Sequence, residues 1–434
     1  MYLSLSDRPA TSTDAEPRRS GGRVSRTVIT LGVVSMLTDI SSESVSAILP
    51  LYLTAVVGLS PVAYGLIDGL YQGVSSLVRI AAGWAADRTD RPQPVALAGY
   101  AMSAVARLGL IFAGGFGTIS AAISLDRVGK GVRTAPRDAM IAATSDPAHL
   151  GRSFGVHRAL DTIGATLGPL LAFVILWRIT DGYDTVLVVS LGFAVLGVAT
   201  MASFIPFGTG ARRPLVEPGE RQRASVESNT VRWRAALTPG LTRVTAVSGV
   251  LALLTVGDGF VYLALLETGG FAAQWFPVLY IGTNLAYLAL AVPTGRLADR
   301  VGRVKVLVLG HLPLAAAYLC AASGSGALWT TCAAVLLLGV FYAATDGTLA
   351  AVAGRLVPET VRTTGIATAQ TAVALARLVA ATGFGLLWYA VGPRVAMLVV
   401  CVVLVAAIPA GLAVLSRFLG PERSGPGTPT KVQP

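Results

Sequence analysis

Twelve apolar runs follow one another along the 434-residue chain, separated by short polar breaks. Each run is about 20 to 28 residues long, which is the length that an α-helix needs to cross about 30 Å of hydrocarbon. The pattern therefore predicts an all-α membrane protein with twelve transmembrane helices. We call them spans 1 to 12 and place them at residues 28–54, 61–86, 94–114, 117–145, 153–178, 184–206, 243–266, 274–298, 304–322, 327–352, 363–389 and 394–417.

One long polar stretch divides the spans into two groups of six. It is rich in arginine and glutamate, a composition typical of a solvated linker. We predict an N-terminal six-helix bundle at 28–206, a cytoplasmic linker at 207–242 and a C-terminal six-helix bundle at 243–417. The polar ends are predicted to be a disordered cytoplasmic arm at 1–27 and a cytoplasmic tail at 418–434.

The two halves repeat a short motif. Gly83-Trp-Ala-Ala-Asp87-Arg88 after span 2 recurs as Gly295-Arg-Leu-Ala-Asp299-Arg300 after span 8, close to half the chain later. Two homologous six-helix bundles explain this recurrence most simply. Parallel repeats of this kind, related by an axis along the membrane normal, are one plan for transporters.

Composition excludes a soluble protein and gives an orientation. Hydrophobic residues make up 53% of the chain and charged residues only 13%, and the mean hydropathy is +0.67. The net charge of +11 does not indicate nucleic-acid binding, because the cations lie mostly in loops between spans. Their excess on one side predicts that both termini of this multi-pass protein are cytoplasmic. Nearly all of the cations are arginine, a usage associated with high-GC bacteria, which suggests the cell inner membrane of a bacterium.

Enzyme chemistry has no support in the sequence. The three cysteines lie inside apolar runs, only three histidines are present, and HExxH, GxSxG and Walker motifs are absent. We therefore expect no enzymatic activity, no metal site and no cofactor. A single chain carrying both bundles is expected to work as a monomer.

The repeated motif resembles a known family signature. GWAADRTDRP, with Gly83, Asp87, Arg88 and Arg91, and GRLADRVGRV, with Gly295, Asp299, Arg300 and Arg303, are similar to the loops between helices 2 and 3 and between helices 8 and 9 of the major facilitator superfamily. The resemblance covers all twelve spans. It implies two pseudo-symmetric six-helix bundles that transport a small molecule by alternating access.

Two further motifs resemble those of proton-coupled exporters. Residues 125–131 in span 4, centred on Arg127, resemble the arginine motif of proton-driven members, with Lys130 where glutamine is commoner. Gly164, Gly168 and Pro169 in span 5 resemble the helix-5 motif of drug antiporters, although the closing glycine pair is replaced. These glycines fit equally well a role in close helix packing.

Charges inside the membrane depth are costly and indicate function. Asp39 and Glu43 lie one helical turn apart on one face of span 1, and we expect them to carry protons. Arg127 and Arg133 are expected to modulate them, together with Asp161 of span 5. The charged residues of span 4 fall in one stripe, which predicts a cavity wall. A permanently paired structural cluster is the alternative.

Substrate and gating residues are expected elsewhere. The candidate cavity residues are Lys130, Arg137, Asp258, Asn284, Tyr287 and Arg377. Asp87 and Asp299 are expected to face the first turns of spans 11 and 5 and to latch the cytoplasmic side closed, unless they are merely solvated loop acids.

Three functions remain open on the sequence alone. The leading hypothesis is proton-coupled efflux of a small organic molecule, with substrate, protons and the lipid bilayer as partners. A proton-coupled importer would instead take up an anionic metabolite or metal chelate, with Lys130, Arg133 and Arg137 as anion ligands. A membrane sensor that transports nothing is the remote alternative.

Overall fold

The computed structural model of this protein describes residues 24–86, 92–146, 149–206, 209, 237–269 and 271–416. Regular structure within these residues is helical throughout. Most of the linker, the arm before residue 24, the tail after residue 416, and Asp87, Arg88 and Arg91 lie outside them. The last residues predicted for the linker, from Pro239 onward, already belong to the first helix of span 7. In the N-terminal half, spans 1 to 6 are the helices Arg26–Leu51, Pro61–Ala86, Pro92–Ile111, Phe116–Thr144, Leu150–Arg178 and Tyr183–Phe204.

Three spans of the C-terminal half are broken into two helices. Span 7 is Pro239–Leu253 and Asp258–Gly269, span 9 is Arg303–Leu309 and His311–Ala322, and span 10 is Leu328–Thr345 and Thr348–Arg355. Spans 8, 11 and 12 are the helices Phe276–Val301, Arg362–Val391 and Pro393–Val414. The break in span 10 contains Gly347, whose φ of 77° is in the left-handed region that favours glycine.

Ten of the spans in the described residues form helical segments long and apolar enough to cross a membrane. Spans 2 and 4 are helices of 26 and 29 residues that fall outside this group. Span 4 has a low mean hydropathy because several of its residues are charged. The helical membrane fold is therefore confirmed, while the full count of twelve crossings stays a prediction.

Equivalent spans pack alike in the two halves. Span 1 packs against spans 5 and 6, span 4 against spans 2 and 3, and span 3 against span 6. In the second half span 7 packs against spans 11 and 12, span 10 against spans 8 and 9, and span 9 against span 12. Each of these contacts in the first half has an equivalent in the second half, formed by the spans six positions later in the chain. The two halves therefore have the same architecture.

The halves join mainly where span 2 lies against span 11. Small residues bring the two backbones close together. A Cβ added to Gly69 would lie 2.8 Å from the carbonyl oxygen of Leu378, and one added to Gly385 would lie 3.3 Å from the Cα of Gly65. Close backbone approach of this kind is how helices associate in lipid, where no hydrophobic force drives them together.

These contacts lie at one end of the molecule. Gly65 and Gly69 are near the start of span 2, whereas the signature loop follows its last residue. The rings of Phe173 and Trp275 also meet across the halves, 5.1 Å apart, and Trp275 directly precedes span 8. The halves therefore touch at the end opposite to the two signature loops.

Candidate functional site

A central cavity of about 300 Å³ lies between the two halves. Spans 1 and 2 line it from one side, and spans 7, 8 and 10 line it from the other. Its polar lining comprises Glu43, Ser46, Tyr64, Asp68, Tyr71, Gln72, Asp258, Tyr280, Asn284, Tyr287, Tyr342 and Asp346. Four of these residues are acids and five are tyrosines, and none of the described lining residues is Lys or Arg.

Two of the acids lie at helix breaks. Asp258 is the first residue of the second helix of span 7, and Asp346 directly follows the first helix of span 10. Discontinuous membrane helices of this kind form substrate and ion sites in transporters, because their free ends present partial charges. The hydroxyl of Tyr342 donates a 2.8 Å hydrogen bond to Oδ1 of Asp258.

Asp68 lies on the opposite wall, in span 2. A Cβ added to Gly257, the residue before Asp258, would lie 3.1 Å from Cγ of Asp68, so the carboxylate lies against the break in span 7. Its Oδ2 is buried and has no hydrogen-bond partner among the described residues. The charge of Asp68 interacts with those of Asp258 and Arg377. Two acids from different halves thus face the same space.

A second cavity of about 280 Å³ adjoins the first and shares Gln72, Tyr342 and Asp346 with it. Arg377 of span 11 lines this second cavity, and its Nε has no hydrogen-bond partner in the described part of the chain. His311, to which the sequence assigned no role, lines it as well. The second cavity therefore carries the positive charge that the first one lacks.

Most span 4 charges lie inside the N-terminal bundle. Asp126 pairs with Arg107 of span 3 at 3.1 Å and with Arg127, and all three are buried. The guanidinium of Arg127 also lies 3.8 Å from the centre of the Tyr71 ring. Arg133 is buried too and donates a 2.8 Å hydrogen bond to Ser103.

The stripe of charged residues predicted on span 4, which comprises Asp126, Lys130, Arg133 and Arg137, contacts spans 1 and 3 in this structure. Its role as a cavity wall stays a prediction. Asp126 and Arg133 are 2% and 3% exposed, buried against span 3. Arg137 pairs with Asp138 at 2.9 Å and donates a hydrogen bond to Ser35 of span 1. Neither Lys130 nor Arg137 lines either of the two cavities described above.

Glu43 connects the cavity to this charged interior. Its Oε1 lies 3.9 Å from Nζ of Lys130, and both side chains are about one-third exposed. Asp39, one turn away, interacts through its charge with Lys130 and Asp161. Asp161 in turn lies 3.8 Å from Nε2 of His157 on the same helix. The five residues predicted for proton coupling, Asp39, Glu43, Arg127, Arg133 and Asp161, thus belong to spans 1, 4 and 5 of one half.

Gly164 and Gly168 lie where span 5 crosses span 1. A Cβ on Gly164 would lie 3.1 Å from Cβ of Asp39, and one on Gly168 would lie 2.8 Å from Cβ of Glu43. Pro169 follows Gly168 inside the same helix and is buried. The helix-5 motif therefore packs against the two acids of span 1, in agreement with its close-packing interpretation.

The signature loop after span 8 lies at the end opposite to the contacts between the halves. Asp299 and Arg300 are exposed, and Arg303 donates to Oδ1 of Asp299 at 2.7 Å. Gly295 is exposed near the end of the helix, and Gly83 lies near the end of span 2. Asp299 is thus paired within its own loop in this conformation.

Sequence reasoning named Asp258, Asn284 and Tyr287 for the cavity but missed the wall formed by span 2. Tyr64, Asp68, Tyr71 and Gln72 are spaced by four, three and one residues, which places them on one helical face. All four line the cavity. The feature of the sequence that could have identified this wall is an acid flanked by tyrosines at helical spacing inside an apolar run.

Sequence comparisons identify the family. The profile of the Major Facilitator Superfamily matches residues 31–283 and 266–434, nearly the whole chain. An uncharacterized MFS-type transporter of Methanocaldococcus jannaschii is 29% identical over 84% of this chain and 89% of its own. The fosmidomycin resistance protein of Escherichia coli is 23% identical over 72% of this chain and 75% of its own.

Solved structures share the fold at low identity. A POT family transporter superposes with a TM-score of 0.73 at 13% identity, covering 91% of this chain and 97% of its own. A bacterial homologue of the human lysosomal transporter Spinster, solved in an inward-facing conformation, gives a TM-score of 0.70 at 14% identity, covering 94% and 98%. These findings confirm the resemblance seen in the signature loops and indicate transport rather than enzymatic catalysis. The chain belongs to the Major Facilitator Superfamily of membrane transporters.

Proposed function

We propose that this protein exports a small organic molecule across the cell membrane in exchange for protons, by alternating access of its two halves. The observation that carries the proposal is the acid-lined cavity between the halves. A carboxylate buried beside a mobile partner can take up and release a proton, and a binding site shared by two rocking bundles can face either side in turn.

The arrangement of the halves fits one state of this cycle. They touch at the end opposite to the signature loops, and the second signature loop is exposed with Asp299 paired locally. With both termini in the cytoplasm, as the positive-inside rule predicts, this is the inward-open state. The predicted latch of Asp299 onto span 5 then belongs to the outward-open state.

Glu43 is our first candidate for the proton carrier, with Asp39 beside it. Glu43 lines the cavity and lies next to Lys130, so a positive charge bound elsewhere in the cavity favours its ionised form. Protonation of Glu43 and binding of such a charge therefore oppose each other, which is the requirement for exchange. The charges of Arg127, Arg133 and Asp161 set the electrostatic potential at Asp39 and Glu43.

Export of a substrate other than an anion agrees better with the geometry than import of an anion. An anion importer needs Lys130, Arg133 and Arg137 as ligands, but their partners are Glu43, Ser103 and Asp138. The cavity itself carries four carboxylates. The outward direction rests on the resemblance of the span 4 and span 5 motifs to those of proton-coupled exporters.

The test measures luminal pH in proteoliposomes containing the purified full-length chain. Organic cations, neutral drugs and organic anions are added outside one at a time, and proton movement opposite to the added compound is the expected result. The variant Asp39→Asn with Glu43→Gln should abolish it. The matched control, Asp184→Asn with Glu359→Gln, neutralises two exposed acids and should leave it intact. Proton movement in the same direction as an anion would overturn the proposal in favour of import.

A further inference from the structure

The described lining of the central cavity carries four acids, Glu43, Asp68, Asp258 and Asp346, and no Lys or Arg. Lys130 and Arg127 lie on the Glu43 side, 3.9 Å from its Oε1 and over the Tyr71 ring respectively, and Arg377 lines the adjoining cavity. Asp68 and Asp258 form no ion pair with any described residue. A site between membrane helices is stable with excess charge only when protons or a ligand compensate for it.

Asp68 has a carboxylate oxygen that can accept a hydrogen bond from a ligand. Its Oδ2 is buried against the break in span 7 and accepts no hydrogen bond from any described residue. A buried acceptor without a donor costs free energy, since water no longer solvates it. The neighbouring Asp258 is held by the hydroxyl of Tyr342 at Oδ1. The two carboxylates thus approach the same space from different halves, and one of them lacks a donor.

Three aromatic rings of the cavity lining, Tyr64, Tyr280 and Tyr342, belong to this part of the cavity. Tyr71 and Tyr287 line it further away, where the guanidinium of Arg127 lies over the Tyr71 ring and the hydroxyl of Tyr287 donates to Oδ2 of Asp346 at 3.3 Å. Edge contacts with neighbouring rings hold two of the three: Tyr64 packs on Phe260 with centres 4.6 Å apart, and Tyr280 packs on Tyr262 at 4.7 Å. The faces of aromatic rings attract cations, and cages of such rings bind quaternary ammonium groups.

We propose that the substrate of this transporter is an organic cation with an aromatic or apolar body, whose charged group lies between Asp68 and Asp258 inside the tyrosine cage. This inference rests on the proposed transport function and adds the substrate class. The cation contacts a carboxylate from each half, so its binding joins the halves across the cavity. The ligand also supplies the positive charge that the described lining residues lack.

The test is equilibrium binding to the full-length protein in lipid nanodiscs, measured by isothermal titration calorimetry. Three probes share a benzyl group and differ in charge: benzyltrimethylammonium, N-benzylacetamide and phenylacetate. We expect the cation to bind at least tenfold more tightly than the neutral amide, and phenylacetate to show no binding. Because no gradient is imposed, binding is measured independently of transport.

Substitutions of the cavity residues test where the cation binds. Asp68→Asn and Asp258→Asn should each weaken binding of benzyltrimethylammonium at least tenfold and leave the amide unchanged. Tyr342→Phe keeps the ring but removes the hydrogen bond to Asp258, so a smaller loss is expected. Asp184→Asn, an exposed acid at the start of span 6, is the matched control and should bind like the wild type.

The outcomes separate this inference from the proposed function. Cation binding in nanodiscs without proton exchange in proteoliposomes would support the substrate class and remove the exchange mechanism. Proton exchange driven by other compounds, with no cation binding at millimolar concentration, would overturn the substrate class alone. Phenylacetate binding as tight as that of the cation, or cation binding undiminished in both aspartate variants, would also overturn it.

Discussion

Nζ of Lys130 lies 3.9 Å from Oε1 of Glu43, where span 4 meets span 1 at the wall of the central cavity. The pair is loose and partly exposed, unlike the ion pairs buried between spans 3 and 4. It is therefore more easily exchanged for another partner than those buried pairs are. The two sequence interpretations of these charges, a proton relay and a static cluster, stay predictions, and they can be tested separately on the loose pair and on the buried pairs.

The first prediction concerns Lys130→Gln. An exposed or half-exposed ion pair contributes about 0–1 kcal/mol to stability, so the thermal midpoint of the purified protein should change by no more than about 2 °C. Substrate-driven proton movement in proteoliposomes should nevertheless fall severely, because Glu43 loses the neighbouring positive charge that sets its proton affinity. A large fall in the thermal midpoint would instead mean that the pair is structural.

The second prediction concerns Asp126→Asn. This change leaves the buried guanidinium groups of Arg107 and Arg127 without their carboxylate. Breaking a buried pair from one side costs about 3–5 kcal/mol. Thermal unfolding of the detergent-solubilised protein should therefore begin at a much lower temperature than in the wild type. The control Asp184→Asn removes an exposed acid, and an equal effect of the two substitutions would contradict a structural role for Asp126.

The third prediction concerns the glycines of span 5. Gly168→Ala places a Cβ 2.8 Å from both Cβ of Glu43 and the backbone nitrogen of Ser44, so spans 1 and 5 must separate. Overpacking of this kind costs about 1–3 kcal/mol, and transport should fall with stability. Gly155→Ala in the same helix meets no atom within 4 Å and is the matched control. Full activity and stability of Gly168→Ala would show that the helices adjust without cost.

The fourth prediction concerns the closed end of the cavity. Phe173 and Trp275 meet across the halves, and this end must part in the outward-open state. In a background without Cys320, Cys332 and Cys401, the pair Phe173→Cys and Trp275→Cys should be joined by a short bifunctional thiol reagent, and joining should stop transport.

The control for this cross-link is a pair within one helix. Phe173 and Trp177 stack on each other 6.5 Å apart in span 5. Joining cysteines at these two positions leaves the halves free to move and should leave transport intact. Continued transport by the fully cross-linked Phe173–Trp275 pair would show that this end does not open during the cycle.

Much of the fold could be predicted from the sequence because the bilayer permits few structures. Apolar runs of membrane length must be helical, since no water is present to satisfy the backbone. The motif at Gly83 and Gly295 gave the twofold repeat and the family, and the comparisons confirm the family. Helical spacing also placed Asp39 and Glu43 on one face of span 1.

Which residues line the cavity could be determined only from the tertiary structure. Helical periodicity places Asp126, Lys130 and Arg133 along one helix but does not state which neighbour covers each of them. Span 3 buries Asp126 and Arg133, and only Lys130 reaches the cavity wall through Glu43. Asp68 is the opposite case. It became a candidate site residue only because the break in span 7 lies next to its carboxylate.

The sequence by itself determined the helices, the repeat, the family and the presence of costly charges, because each follows from local pattern or from resemblance. The tertiary structure decided which charges are paired in the interior and which line the space between the halves. That division depends on distances between helices remote in sequence, such as those that bring Asp68 of span 2 next to Asp258 of span 7. Interhelical packing sets these distances, and the pattern along one helix carries no information about them.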